Sequence, residues 1–139
     1  MKPFFYTIVR IVDEGGFGDL ASKGRVEVHH NGAWKTVCDV NWDLRDANVV
    51  CRQLGFAGAV AANKSAAFGQ GEGKIWMYEV QCTGNESSFK ECNHQGWAFY
   101  YCSHREDAGV MCTTGDKYTI VAFGVCYLYP IIIINKTNW

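Results

Sequence analysis

A small α+β domain closed by disulfides is the fold class this sequence predicts, and three observations predict it. Six cysteines fall between positions 38 and 112 of a 139-residue chain, an even set inside one globular stretch. Asn31-Gly32 separates two strand-like runs, and this pair is a strong hairpin signal because both residues tolerate positive φ. One stretch only, Trp42 to Gly55, carries clear helical periodicity. The chain is one domain's worth of residues. Its 48% hydrophobic, 14% aromatic and 19% charged content excludes a disordered, collagenous or coiled-coil protein. Thirteen basic against fourteen acidic residues leave a net charge of −1, so no nucleic-acid partner is expected.

Thr7 to Val12 is β-branched, ends at the loop Asp13-Glu14-Gly15-Gly16, and predicts a first strand. Gly24 to His30 alternates polar and apolar residues, the pattern of a half-buried strand. Its hairpin partner is Ala33 to Val37. In the helix, Asp43 is placed to cap, Asp46 lies in the first turn, and Gly55 suits the left-handed position at the end. Ala47, Val50, Cys51 and Leu54 form its apolar stripe, so Cys51 is expected on the buried side. Phe56 to Lys74 is rich in glycine and alanine and predicts a long surface loop. Ile75 to Val80 predicts a strand, Thr83 to Ser88 a turn leading into a short helical piece, and Ala108 to Cys112 a last strand.

The cysteines are Cys38, Cys51, Cys82, Cys92, Cys102, Cys112 and Cys126, spaced by 13, 31, 10, 10, 10 and 14 residues. No CxxC pair exists, so a zinc ribbon fails on spacing. An even set is the mark of a disulfide framework made in an oxidising compartment, and spacing alone leaves fifteen pairings open for six cysteines. Asn63-Lys64-Ser65, Asn85-Glu86-Ser87 and Asn135-Lys136-Thr137 are glycosylation triplets. The apolar run Phe4 to Val9 is too short for a secretory signal core, so the extracellular reading expects a longer parent chain or a missing first segment.

Several ordered blocks carry a family likeness. They include Gly24-Arg25-Val26-Glu27-Val28, Trp34-Lys35-Thr36-Val37-Cys38-Asp39, and Trp42 through Leu54-Gly55. Ile75-Trp76, Cys82 to Ser88, Gly96-Trp97, Cys102-Ser103-His104 and Glu106 to Cys112 complete the set. In these blocks residues 7–113 resemble the scavenger receptor cysteine-rich domain, with residues 1–6 an extension and 114–139 a hydrophobic tail. The resemblance implies a curved antiparallel sheet cradling one helix. It implies the pairs Cys38–Cys102, Cys51–Cys112 and Cys82–Cys92, the pattern of the six-cysteine group, because Phe56 stands where the eight-cysteine group has a further cysteine.

For function, the resemblance implies an extracellular or cell-surface recognition module for polyanionic or protein ligands, with endocytic or innate-immune uptake as the parent activity. The competing reading is an adhesion module beside an enzyme domain that this chain lacks. No GxSxG, HExxH or Cys-His motif is present, and no catalysis is expected. Gly69-Gln70-Gly71-Glu72-Gly73 lacks the strand-to-helix context of a nucleotide cradle. The resemblance also points to calcium, held by Asp39 and Glu86 with Glu79 near a second position, although Val40 replaces one aspartate. No cofactor is required. Arg25, Arg45 and Arg52 are the candidate ligand-binding cations, the last two seven apart on one helix face. Ten basic against thirteen acidic residues over 7–113 favour cation-assisted or protein recognition over a simple basic patch. The loop Trp97 to Tyr101 is either an exposed contact surface or packing for the Cys38–Cys102 bridge.

Tyr118 to Asn135 holds eighteen uncharged residues, just long enough for a membrane span. Pro130 interrupts it, and a strand pair or a gene-model extension is the alternative. Cys126 is left without a partner in this scheme.

Overall fold

The computed structural model describes residues 8–13, 21–97 and 101–114, and the backbone of two strands in the tail. Strand β1 is Val9–Val12, β2 Lys23–His30 and β3 Ala33–Val37; helix α1 is Leu44–Gln53; β4 is Ala59–Asn63, β5 Ile75–Met77 and β6 Gly109–Cys112. Phe89–Glu91 and His104–Glu106 are single 3₁₀ turns. The sheet runs β4-β6-β2-β3-β5, and β1 pairs with the remaining edge of β2. Because β2 is long, it carries β6 beside Lys23–Arg25 and β3 beside Glu27–His30.

The hairpin turns where the sequence places it: Asn31 and Gly32 have φ of 49° and 79°, the left-handed pair that matches strand twist. Asp43 caps α1 in a capping box with Asp46, and Gly55 takes φ 97° just past the end. Three differences from expectation have physical causes. Ala59–Asn63, expected within a loop, is strand β4, recruited by pairing with β6 and not by any β-branched alternation of its own. The strand from Ile75 stops at Met77, and two residues on Glu79 adopts φ 52°. The sheet is antiparallel except where β3 meets β5 in parallel; the chain between them passes through α1 and β4, a connection long enough to cross over.

Helix α1 packs its Ala47, Val50 and Cys51 side against a core of Val9, Val26, Val28, Val37, Met77 and Val110. Trp42 is 2% exposed, meets Phe89 edge-on at 5.9 Å, and donates its indole N–H to the Gly109 carbonyl at 2.9 Å. A buried indole with its polar end satisfied carries a large share of a small core. Three disulfides staple the domain: Cys38–Cys102, Cys51–Cys112 and Cys82–Cys92, spanning 64, 61 and 10 residues. The second ties the buried face of α1 to β6.

In the tail, Tyr118–Ala122 (β7) and Val125–Tyr129 (β8) form an antiparallel pair in which Val121 faces Cys126 along the backbone. Among the described residues no helix is long and apolar enough to cross a membrane.

Candidate recognition surface

The capping box builds the first part of the surface. Asp43 accepts the Arg45 backbone N–H at 2.9 Å, and Asp46 accepts the Asp43 N–H at 2.8 Å. Asp46 is 1% exposed and also accepts the Cys82 N–H at 2.7 Å, joining the helix start to the segment that enters the Cys82–Cys92 loop. Burial pushes its carboxyl up to about 6. Arg45 points outward and closes an ion pair with Asp43 at 2.7 Å; this pair, with side chains 68% and 43% exposed, is worth little in stability. The hydrogen bond from the Arg45 side chain holds the Asp43 carboxyl below its usual range.

At the other end of the helix, exposed Arg52 donates to the carbonyls of Gly84 and Glu86 at 2.6 and 3.2 Å. Glu86 accepts from the Thr83 N–H, the Thr83 hydroxyl and the Gly84 N–H at 2.9–3.0 Å. Desolvation raises its carboxyl, but these donors outweigh it and bring the group below its ordinary value. The Thr83–Glu86 turn therefore sits beside both Arg45 and Arg52, since a Cβ on Gly84 would rest 3.6 Å from Arg45 Cβ. Two of the three predicted arginines are thus brought to one face.

Arg25 is not with them. It is 7% exposed, its Nε donates to Glu27 Oε2 at 3.1 Å, and Arg10 reaches Glu27 at 2.6 Å. Alternation along β2 does send Arg25 and Glu27 away from Val26 and Val28, but the glycine loop covers that face as well. A Cβ on Gly71 would fall 2.4 Å from Thr36 Cγ2 and 3.3 Å from Arg25 Nε. The strand expected to be half-buried is buried on both sides, and Arg25 is withdrawn from the surface.

The carboxylates expected around calcium are each engaged by a hydrogen bond of the fold. Asp39 is 7% exposed and accepts the Ser65 N–H at 2.6 Å; Glu86 serves its own turn; Glu79 accepts from Asn41 at 3.3 Å. Among the described residues, the two groups of three ligand atoms close enough to hold an ion are Cys38, Cys102 and Glu106, and Cys82, Glu86 and Cys92. Their sulfurs are bound in disulfides and are not thiolate ligands. Val40 stands where the resemblance has a second aspartate, so one charged oxygen fewer is offered to an ion that takes six to eight.

His104 Nδ1 lies 2.9 Å from Asp107 and its Nε2 2.8 Å from the Gly73 carbonyl, so both ring nitrogens are occupied by the fold. Trp97 stacks on His30 at 3.7 Å and an interplanar angle of 7°, whereas Tyr101 is 83% exposed; residues 98–100 of that loop lie outside the described residues. Asn85 is exposed in its turn, Asn63 is half-buried with Oδ1 enclosed and unpartnered, and Asn135 lies outside the described residues. The sequence reading missed Leu44, Val60 and Lys64. Leu44, the first residue of the helix, is 48% exposed.

A mixed, curled sheet holding one helix and pinned by three disulfides is a small disulfide-stapled domain, and comparison with known proteins gives its family. The family model described as Scavenger receptor cysteine-rich domain matches residues 17–113. The macrophage scavenger receptor types I and II of Mus musculus is 52% identical over 106 residues, 76% of this chain and 22% of the receptor. The galectin-3-binding protein of Rattus norvegicus is 51% identical over 100 residues, 72% of this chain and 17% of that protein. Among solved structures, the third such domain of murine neurotrypsin aligns with a TM-score of 0.65 at 46% identity, covering 75% of this chain and 94% of that one. The dimeric form of the domain from mouse MARCO gives 0.61 at 44% identity, covering 66% and 86%. This chain belongs to the scavenger receptor cysteine-rich family. It spans about a fifth of the length of the curated relatives it matches.

Proposed function

We propose that the domain is an extracellular or cell-surface recognition module that binds polyanionic or protein ligands and does no chemistry on them, with uptake of the captured ligand as the activity of its parent protein. One observation carries this reading. Arg45 and Arg52 stand outward beside one hydrogen-bonded turn, on a helix that a disulfide and a buried carboxylate fix in place. Two exposed guanidiniums held in place in advance, beside Asp43 and Glu86, lose little entropy when a ligand arrives. Because Asp39, Glu79 and Glu86 each already serve a hydrogen bond of the fold, the recognition proposed does not need calcium.

The test is titration of the oxidised chain with a heparin-derived oligosaccharide, in calcium and in chelator. Binding should be equal in both and should weaken about tenfold in Arg45→Glu/Arg52→Glu, with salt weakening it further. Arg25→Lys should leave affinity unchanged. Binding that requires calcium, or that ignores the double variant, would contradict the proposal. Tight binding to one protein partner with none to the oligosaccharide would favour the adhesion reading.

A further inference from the structure

Helix α1 opens on an apolar side chain that the core does not take. Leu44 is 48% exposed, and Val60 on β4 is 62% exposed where the register against β6 shifts between Ala59 and Ala61. Together with Trp42 and Ala62 they line a shallow cleft of about 500 Å³. Across the Asp43–Arg45 pair lies a second cleft of about 570 Å³, lined by Asn41, Lys64, Gln81 and Thr83. Lys64 is exposed and has no ion pair among the described residues. Strand β4 ends the sheet, and among the described residues no strand pairs with its outer edge.

We propose that this edge is a docking groove for an extended segment of a protein partner, one carrying an aliphatic side chain next to a carboxylate. The inference rests on the recognition reading and names the surface and the partner chemistry. Each feature selects against an alternative. Past Ala59, whose N–H is donated to Asn48 Oδ1 at 2.8 Å, the unpaired edge offers backbone N–H and C=O groups to another extended chain. Two of the three large hydrophobics exposed among the described residues line the apolar half, and a sulfated polymer would leave both unmatched. Lys64 is the charged lining residue with no ion pair among the described residues, and an unmatched ammonium suits a carboxylate. The occupant is therefore a peptide, with its apolar residue over Leu44 and Val60 and its acid toward Lys64.

The probe is a fluorescein-labelled peptide of alternating valine and glutamate, compared with its valine–lysine counterpart by anisotropy on the intact oxidised chain. The glutamate peptide should saturate and the lysine peptide should not. Val60→Ser and Lys64→Glu should each weaken binding about tenfold, whereas Lys74→Glu should not. Unchanged circular dichroism and melting temperature in the variants would show that the fold is intact. Equal binding of both peptides, or indifference to both variants, would overturn the groove. If the heparin oligosaccharide binds through Arg52 while the glutamate peptide does not bind, the groove is wrong and the recognition reading stands. If neither binds, both fail.

Discussion

Asp46 shows how much one side chain does here. It completes the capping box, holds Cys82 to the helix, and is buried while doing so. Because burial raises its carboxyl to about 6 from 3.8, the folded chain binds a proton more tightly than the unfolded chain between those values. Its contribution to stability therefore falls as pH rises through that window, by about 2 kcal/mol after allowance for solvent screening. Urea unfolding of wild type and Asp46→Asn at about pH 4 and about pH 6.5 should show the wild-type advantage shrinking with rising pH; an advantage that grows would contradict the account. The cap was legible because Asp43 immediately precedes the apolar stripe. The second bond of Asp46, to a residue 36 positions away, has no local signature. Arg25 was misplaced for the same reason: strand alternation tells which face a side chain takes, but not whether a distant loop will cover it.

Elements divide along the same line. The hairpin at Asn31-Gly32 and the helix announce themselves through turn residues and periodicity. Strand β4 does not, because Ala59-Val60-Ala61-Ala62-Asn63 has weak strand propensity and exists through its pairing with β6. The glycine loop at 69–73 looked like unstructured surface and is a lid on the polar face of the sheet: Gly71 donates its N–H to Asp107 at 2.7 Å. Gly71→Ala should destabilise the domain by about 1–3 kcal/mol through the clash with Thr36, measured by the shift of the urea midpoint at constant slope. A neutral result would show that the loop is not packed as described. Asp43→Ala should cost about 1 kcal/mol as a lost cap.

At the scale of the whole molecule, the cross-links decide what the small core can hold. The pairs Cys38–Cys102 and Cys51–Cys112 close spans of 64 and 61 residues, each worth about 4 kcal/mol in the chain-entropy model, against about 3 kcal/mol for a short loop such as that of Cys82–Cys92. Cys51→Ser/Cys112→Ser should therefore lower the melting temperature more than Cys82→Ser/Cys92→Ser. The cysteine count declared this framework at once. The recognition surface was only partly legible, since Arg45 and Arg52 share a helix face, whereas Leu44 and Val60 come together only when β4 is laid beside the helix start. A domain whose surface residues come from distant segments binds only while those segments are tied together. The most direct test is to titrate the heparin oligosaccharide onto the oxidised chain and onto the same chain after reduction and alkylation. The account predicts saturable binding to the first and its loss in the second. Equal binding to both, or no binding to the oxidised chain, would contradict it.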